Sequence, residues 1–173
     1  QLAYDLACDQ DTIIIEDGTY YENLEFGDVN QVNDWQYAKP VTIASRFIID
    51  GLLSHVDNVV LNGSDEDAVL KARFNGSIDT TSNNVIRIVG LTITRGNATA
   101  NFSYGQRGGG LALYERGYVL SNLKIRNNSS SAQGGGIYIE EQAILHNVDI
   151  FENNSQVGAG IYLNHTADMP WSN

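Results

Sequence analysis

A repeat of about 25 residues runs through the second half of the chain and constrains its fold more than any other feature. Residues 108–114 read GGGLALY, and this block returns as GGGIYIE at 134–140 and as GAGIYLN at 158–164. A second block separates these copies: VLSNLKIRNN at 119–128 corresponds to ILHNVDIFEN at 144–153. A fixed period of this length indicates structural units that stack on one another.

Each unit is predicted to consist of short β-strands. Apolar and polar residues alternate over three or four positions, as in Leu123-x-Ile125 and Ile137-x-Ile139, and Gly, Asn and Ser bound these stretches. Because such a unit cannot close a core alone, the pattern predicts an all-β solenoid, a parallel β-helix. Four inward ladders are expected, formed by Leu111, Ile137 and Ile161, by Leu113, Ile139 and Leu163, by Leu91, Leu123 and Val148, and by Ile93, Ile125 and Ile150.

The first half shows the same strand and turn signals with less regular spacing. Residues 12–15 and 59–61 are predicted strands, Ile48-Ile49 is another, and Asp17-Gly18 and Asn62-Gly63 are turns. We therefore predict one domain over residues 1–173, with a cap at 1–10 and coils at 11–173. Because the sequence stops soon after a repeat block, we expect a fragment of a longer solenoid, with further coils or domains in the full-length protein.

The N-terminal cap is predicted to contain a short helix within residues 1–8. Solenoid ends need such a cover, since an open coil exposes its core and its strand edges. Leu2 and Leu6 are expected to lie against the first coil, together with Cys8. As the sole cysteine, Cys8 can form neither an intrachain disulfide nor a Cys-based zinc site, and we expect a small buried apolar side chain.

Charge and composition argue against several partners. The 173 residues carry 21 acidic and 10 basic side chains, a formal net charge of −11. Such a surface repels phosphate backbones, so nucleic acid is not an expected partner, and acidic polysaccharides would require a basic patch or bound calcium. No apolar run reaches the roughly 20 residues of a membrane-spanning helix, so membrane insertion is not expected.

Residues 11–23, DTIIIEDGTYYEN, resemble the opening coil of bacterial secreted right-handed parallel β-helix proteins of the pectin-lyase-like superfamily. VTIAS at 41–45, GLTIT at 90–94 and the GGGIY block continue that resemblance, as do Ile49-Asp50-Gly51 and Ser54-His55. Residues 151–161 are also similar to repeats of chlamydial polymorphic outer-membrane proteins, which are β-helical adhesins. These resemblances imply a right-handed coil and a secreted or cell-surface location.

The resemblance leaves two classes of function open. Its members include polysaccharide lyases, other carbohydrate-active enzymes, adhesins and stalks, so the fold does not decide the activity. Lys124 stacks in register on Asp149 and is either a lyase base or part of a cross-strand ion pair. His55, His146 and His165 fall in different repeats and form no hydrolase motif. We predict a non-catalytic adhesin, stalk or carbohydrate-binding module; the alternative is a polysaccharide lyase or a fragment of one.

Aromatic residues are the predicted ligand-binding candidates. Tyr138 and Tyr162 fall in register between inward residues and are expected to face outward as a ladder. Two insertions interrupt the coils, one at 27–38 and one at 98–107, and insertions in solenoids collect on the surface. The rings either stack on glycan sugars or pack against the coils. The insertions carry Trp35 and Tyr37, and Phe102 and Tyr104.

Two further interpretations concern polar groups. Asp65, Glu66 and Asp67 are candidate calcium ligands or a solvated turn, and no other cofactor is predicted. The Asn-x-Ser/Thr triplets are either glycosylation sites or turn residues, since Asn tolerates the left-handed backbone conformation. Stacked Asn side chains around 127–128 and 153–154 are expected to hydrogen-bond along the repeats.

Overall fold

The computed structural model describes residues 1–27, 37–76, 83–99 and 106–164. These residues form mainly β-structure, with one large parallel sheet and a smaller one. The helices are α1 (Leu2–Leu6), α2 (Phe47–Asp50) and α3 (Ser54–Asn58). The strands are β1 (Thr12–Ile15), β2 (Gly18–Tyr21), β3 (Leu24–Phe26), β4 (Thr42–Ser45), β5 (Val59–Asn62), β6 (Leu70–Asn75), β7 (Ile86–Val89), β8 (Thr92–Thr94), β9 (Asn97–Ala98), β10 (Leu111–Arg126), β11 (Ser129–Gln133), β12 (Ile137–Ile139), β13 (Gln142–Phe151), β14 (Asn154–Val157) and β15 (Ile161–Leu163).

The large sheet consists of three lines of parallel strands that meet in the long strand β10. One line runs β1, β4, β7, β10 and β13. The second runs β2, β5, β8, β10 and β13, and the third runs β3, β6, β10, β12 and β15. Strand β10 serves all three lines because its backbone turns at Gly117, with φ +98°, and at Asn122, with φ +52°. Both values lie where ordinary side chains are disfavoured and Gly or Asn is tolerated.

The strand register confirms the predicted period and the predicted ladders. Leu111 pairs with Ile137, and Ile137 pairs with Ile161. The residues at the remaining ladder positions also stack in register: Leu113 on Ile139 and Leu163, Ile93 on Ile125 and Ile150, and Leu123 on Val148, with the Lys124 N–H donating to the carbonyl of Leu91. Apart from Ile161 and Leu163, these side chains join or pack against one apolar core that begins at Tyr4 and continues to Ile139. Ile161 and Leu163 are exposed, so their predicted inward burial was wrong. Alternating sequence and parallel pairing thus produce the same inward face in successive repeats.

An amide ladder forms where stacked Asn side chains were predicted. Asn128 Nδ2 donates to Asn153 Oδ1 at 3.1 Å and to the carbonyl of Ile93 at 3.2 Å. Asn128 Oδ1 accepts a hydrogen bond from the backbone N–H of Gly96. Since Asn128 is buried, it has a structural role and no surface to which a sugar could be attached in the folded state.

The predicted cap helix is present as α1, but the residues expected to cover the core are different. Leu2, Leu6 and Cys8 are exposed, so their predicted burial was wrong. Tyr4 is buried instead and stacks on Phe26 with ring centroids 3.9 Å apart. Positions 2 and 6 share one helix face, whereas position 4 lies opposite. The helix presents its aromatic residue to the core, because the large ring removes the most apolar surface from water.

Residues 46–58 depart from the repeat and form α2 and α3. The strand predicted at Ile48-Ile49 was therefore wrong, and these two residues lie in α2. The helix ends at Gly51, whose φ of +72° is the left-handed C-cap conformation that favours glycine. The segment exposes apolar side chains, namely Ile48, Ile49, Leu52 and Leu53. Across the described parts of the chain, the helices are all too short or too polar to traverse a bilayer.

Candidate functional site

A groove of about 330 Å³ lies between α3 and the outer face of β10 and β13. Its apolar side is formed by Leu53 and Val56, with the side chain of Leu53 65% exposed. Its polar side carries carboxylates, carboxamides and one ammonium group. These polar residues are Asp57, Asn122, Lys124, Asn147 and Asp149.

The strand register positions the polar side of the groove. Lys124 pairs with Asp149, as predicted, but the ion pair of Lys124 joins Asp57 of α3, with Nζ and Oδ1 2.5 Å apart. Asn147 Nδ2 donates to Asn122 Oδ1 at 2.7 Å across the same two strands. Both asparagines have φ of +52°, the conformation that turns the strand at this corner. The cross-strand Lys124–Asp149 ion pair was therefore a wrong prediction, because α3 supplies a nearer carboxylate.

Helix α3, the apolar wall of the groove, is attached to the strands through backbone and side-chain bonds. Thr92 Oγ1 donates to the carbonyl oxygen of Val56 at 2.7 Å in a buried position. The Lys124–Asp57 ion pair joins the same helix to β10. The helix is too short to be stable by itself, so these contacts determine where the wall stands.

A histidine connects α3 to the rest of the molecule. His55 Nδ1 lies 2.6 Å from Asp17 Oδ1, and His55 Nε2 lies 3.1 Å from Asp50 Oδ2. The hydrogen bond with Asp17, reinforced by that with Asp50, raises the pKa of His55 above its ordinary 6.5. The hydrogen bonds from His55 and Asn58 lower the pKa of Asp17, and the backbone N–H of Leu52 lowers that of Asp50. The sequence motifs did not identify this cluster, because Asp17 and His55 are 38 residues apart.

The groove offers hydrogen bonds without an evident catalytic pair. Its carboxamides and carboxylates can donate to and accept from hydroxyl groups, and its leucine side can contact C–H surfaces. The Lys124 ammonium is held by Asp57, whereas a general base needs a neutral amine. Asp57 and Asp149 outnumber the single lysine of the groove, so its charge disfavours anionic ligands.

The predicted tyrosine ladder exists, but one of its members is covered. Tyr138 pairs with Tyr162, and their rings are nearly parallel with centroids 5.9 Å apart. Tyr138 is 0% exposed, so its predicted contact with solvent was wrong, whereas Tyr162 is half-buried. Sequence reasoning missed Tyr114, which is buried with its ring centroid 5.7 Å from that of Tyr138. Only a ring with exposed surface can stack on a sugar, which leaves Tyr162 as the ladder's candidate.

Two arginines lie against the buried tyrosines of the ladder, Tyr114 and Tyr138. The guanidinium of Arg107 lies 5.1 Å from the Tyr138 ring centroid, and Nη1 donates to the Tyr138 hydroxyl at 3.2 Å. Arg73, also buried, lies 6.0 Å from the Tyr114 ring centroid. Burial raises the pKa of Tyr138, and these arginines partly oppose that effect for Tyr138 and Tyr114. The guanidinium groups contact the ring faces, and Arg107 and Asn164 donate hydrogen bonds to the Tyr138 hydroxyl, so burial of this ring leaves its polar end satisfied.

The two aromatic insertions are described only at their edges. Trp35, Phe102 and Tyr104 lie outside the described residues, so their predicted role is untested. Tyr37 is exposed, and the neighbouring Ala38 N–H donates to the carbonyl of Arg73 at 2.8 Å. The 27–38 insertion therefore rejoins the described chain beside the tyrosine stack.

The candidate calcium ligands do not converge. Asp65 binds Arg95, and Asp67 binds Lys71 with Nζ and Oδ2 2.5 Å apart. Glu66 is exposed. Throughout the described ranges, no group of three or more His, Cys, Asp and Glu side chains could hold a metal ion. Two of the three carboxylates already have cationic partners, which removes much of their attraction for calcium.

Comparison of the chain with protein-family models, with curated proteins and with solved structures gave no match. Function is therefore inferred from the geometry of the groove and the ladders.

Proposed function

We propose that this chain is a right-handed parallel β-helix module of an exported or cell-surface protein, which binds a neutral glycan without cleaving it. The three lines of parallel strands, their 25-residue register and their common core support the β-helix. The resemblance of residues 11–23 to secreted pectin-lyase-like proteins supports the location. A module of this kind would serve as an adhesin or as a carbohydrate-binding segment.

The observation that carries the binding function is the groove beside α3. Helices α2 and α3 interrupt the strand pattern, leave Leu53 exposed and stand beside a row of polar side chains. A surface of this kind has both chemistries that a sugar ring needs. Carboxamides and carboxylates pair with the hydroxyls, and aliphatic side chains contact the C–H face.

Neutral sugars fit the charge of the groove better than uronates do. A uronate would bring its carboxylate close to Asp57 and Asp149, with one lysine to offset them. A lyase also needs a free base beside a cation that neutralises the substrate carboxylate, and Lys124 is occupied by Asp57. The same features that suit hydroxyl groups therefore argue against lyase chemistry.

Binding by a single module is expected to be weak. A hydrogen bond exchanged with water contributes about 1 kcal/mol net, so a few such bonds give a Kd in the millimolar to high-micromolar range. Several modules acting together would be needed for firm attachment.

Two groove variants, each with a matched control, test the groove. Leu53→Ala and Asp149→Ala alter exposed groove side chains, and Leu6→Ala and Asp9→Ala alter exposed side chains of the same types near α1. On a panel of neutral oligosaccharides, measured by calorimetry or NMR titration, each groove variant should weaken binding about three- to tenfold. The α1 variants should bind as the wild type does, and all four should unfold at nearly the wild-type temperature.

Three results would contradict this function. If no neutral oligosaccharide binds, the proposed glycan-binding function is rejected. Binding that is insensitive to the groove variants but lost in Trp35→Ala or Tyr104→Ala would move the site to the insertions. Release of unsaturated sugars from polygalacturonate or alginate, followed by absorbance, would replace the binding module with the lyase alternative.

A further inference from the structure

The His55 cluster connects the wall of the groove to the first repeat. His55 belongs to α3, Asp50 to α2, and Asp17 to the turn between β1 and β2. The second carboxylate oxygen of Asp17, Oδ2, accepts a hydrogen bond from Asn58 Nδ2 at 3.0 Å. One imidazole ring thus joins both helices of the 46–58 segment to a turn that lies 38 residues earlier in the chain.

The geometry favours a doubly protonated ring. An ionised carboxylate only accepts hydrogen bonds, and a neutral imidazole has one N–H donor and one lone pair. Because each ring nitrogen of His55 faces a carboxylate oxygen, both contacts are hydrogen bonds only when the ring is the imidazolium cation. Loss of one proton turns one contact into a repulsion between a lone pair and a carboxylate.

We propose that His55 is a pH-sensitive clamp that holds the α2–α3 wall of the groove in place at mildly acidic pH and releases it as the pH rises. This regulation rests on the proposed function, since its consequence is tighter glycan binding in acid than in weak alkali. The clamp itself is a property of the protein without ligand.

The charges around the clamp determine the pH range. Asp17 and Asp50 face the ring directly; Arg46, at the start of α2, pairs with Glu16 beside them. On the far side of α3, Asp57 pairs with Lys124 of β10. The immediate neighbours of the imidazole are therefore anionic, and the nearby cation Arg46 is partly neutralised by Glu16.

The direction of each pKa shift gives the sign of the effect. The pKa of His55 is raised, so the stabilisation is fully present below the ordinary 6.5 and is lost as the pH rises through the folded-state value. The pKa values of Asp17 and Asp50 are lowered, so their contribution is fully present above the ordinary 3.8 and is lost only in stronger acid. The clamp is therefore complete between pH 3.8 and 6.5 and opens above that range.

The experiment begins with the ligand-free protein. In a His146→Gln/His165→Gln background, His55 is the remaining histidine, and its ring can be titrated by NMR. Amide hydrogen exchange of residues 46–58, corrected for intrinsic rates, is measured from pH 5.5 to 8.5. We expect an imidazolium ring at pH 6.5 and protection that falls about three- to tenfold toward pH 8.5. Adding His55→Gln should make protection low and independent of pH, and Asp17→Asn should move the ring titration to lower pH.

The outcomes separate the clamp from the glycan function. A neutral His55 ring at pH 6.5, or pH-dependent protection that persists in His55→Gln, would overturn the clamp. Binding of the oligosaccharide identified with the groove variants should weaken over the same pH range in wild type and not in His55→Gln. If no glycan binds but the protection of residues 46–58 depends on pH through His55, the clamp is retained and the proposed function is rejected.

Discussion

The middle and last described repeats share a sequence pattern but differ in burial. Leu111 and Ile137 are 0% exposed, whereas Ile161, at the next position of the same ladder, is 40% exposed. Leu113 and Leu163 differ in the same way, at 0% and 57%. A strand in the middle has a paired neighbour on each side, and β15 pairs on one side within the described chain.

This comparison shows that repeated sequence does not imply repeated stability. The apolar residue supplies surface that can be buried, and the neighbouring repeats determine how much of it leaves water. Interior and terminal copies of one motif should therefore respond differently to one substitution. A substitution that acts only through the backbone conformation of one residue should have the same effect in both copies.

The largest expected effect is a charge placed in the ladder. Ile137→Asp would bury an unpaired carboxylate and should lower the free energy of unfolding by about 4 kcal/mol or more. Ile161→Asp should cost about 1 kcal/mol, because water already reaches that position. Urea unfolding followed by circular dichroism measures both. Equal losses would show that the last repeat is as well covered as the middle one.

A smaller effect is expected at two glycines in equivalent positions. A Cβ at Gly136 would lie 2.6 Å from the carbonyl oxygen of Gly160, which is backbone and cannot turn away. A Cβ at Gly160 would meet Ile150 Cγ2 at 3.4 Å, an ordinary contact. We expect Gly136→Ala to cost about 1–3 kcal/mol through overpacking, and Gly160→Ala to stay within about 0.5 kcal/mol of the wild type. A loss at Gly160 as large as at Gly136 would contradict this difference in the space around the two glycines, and thermal unfolding can measure both losses.

The smallest effect should be the same in both regions. Asn122 and Asn147 each have φ of +52° and share one hydrogen bond. Asn122→Ala and Asn147→Ala should each cost about 1 kcal/mol, because alanine disfavours the left-handed region. The glycine variants should recover much of that loss and are the matched controls. Denaturant midpoints that differ strongly between the two positions would mean that burial, and not backbone strain, controls this turn.

Local pattern was enough to predict the strands and their register. The alternation at Leu123-x-Ile125 and Ile137-x-Ile139 indicates which side chains lie on one face of a strand. The period indicates which strands pair with each other. The pattern failed at Ile48-Ile49, because a short apolar run fits a helix or a strand equally well. It also failed at Tyr138, since alternation says that a side chain leaves the main core but not whether something else covers it.

The candidate site depended on contacts that no local pattern contains. Lys124 was expected to pair with Asp149, its neighbour in the ladder, and pairs with Asp57, 67 residues away in sequence. His55 meets Asp17 because α2 and α3 bring it back to the turn after β1. The repeat, the register of the ladders and the turn asparagines could be predicted from the sequence, because they follow from periodicity and backbone preference at each position. The groove and the His55 clamp could be found only in the folded chain, because electrostatic partners are set by distance in space and not by separation in sequence.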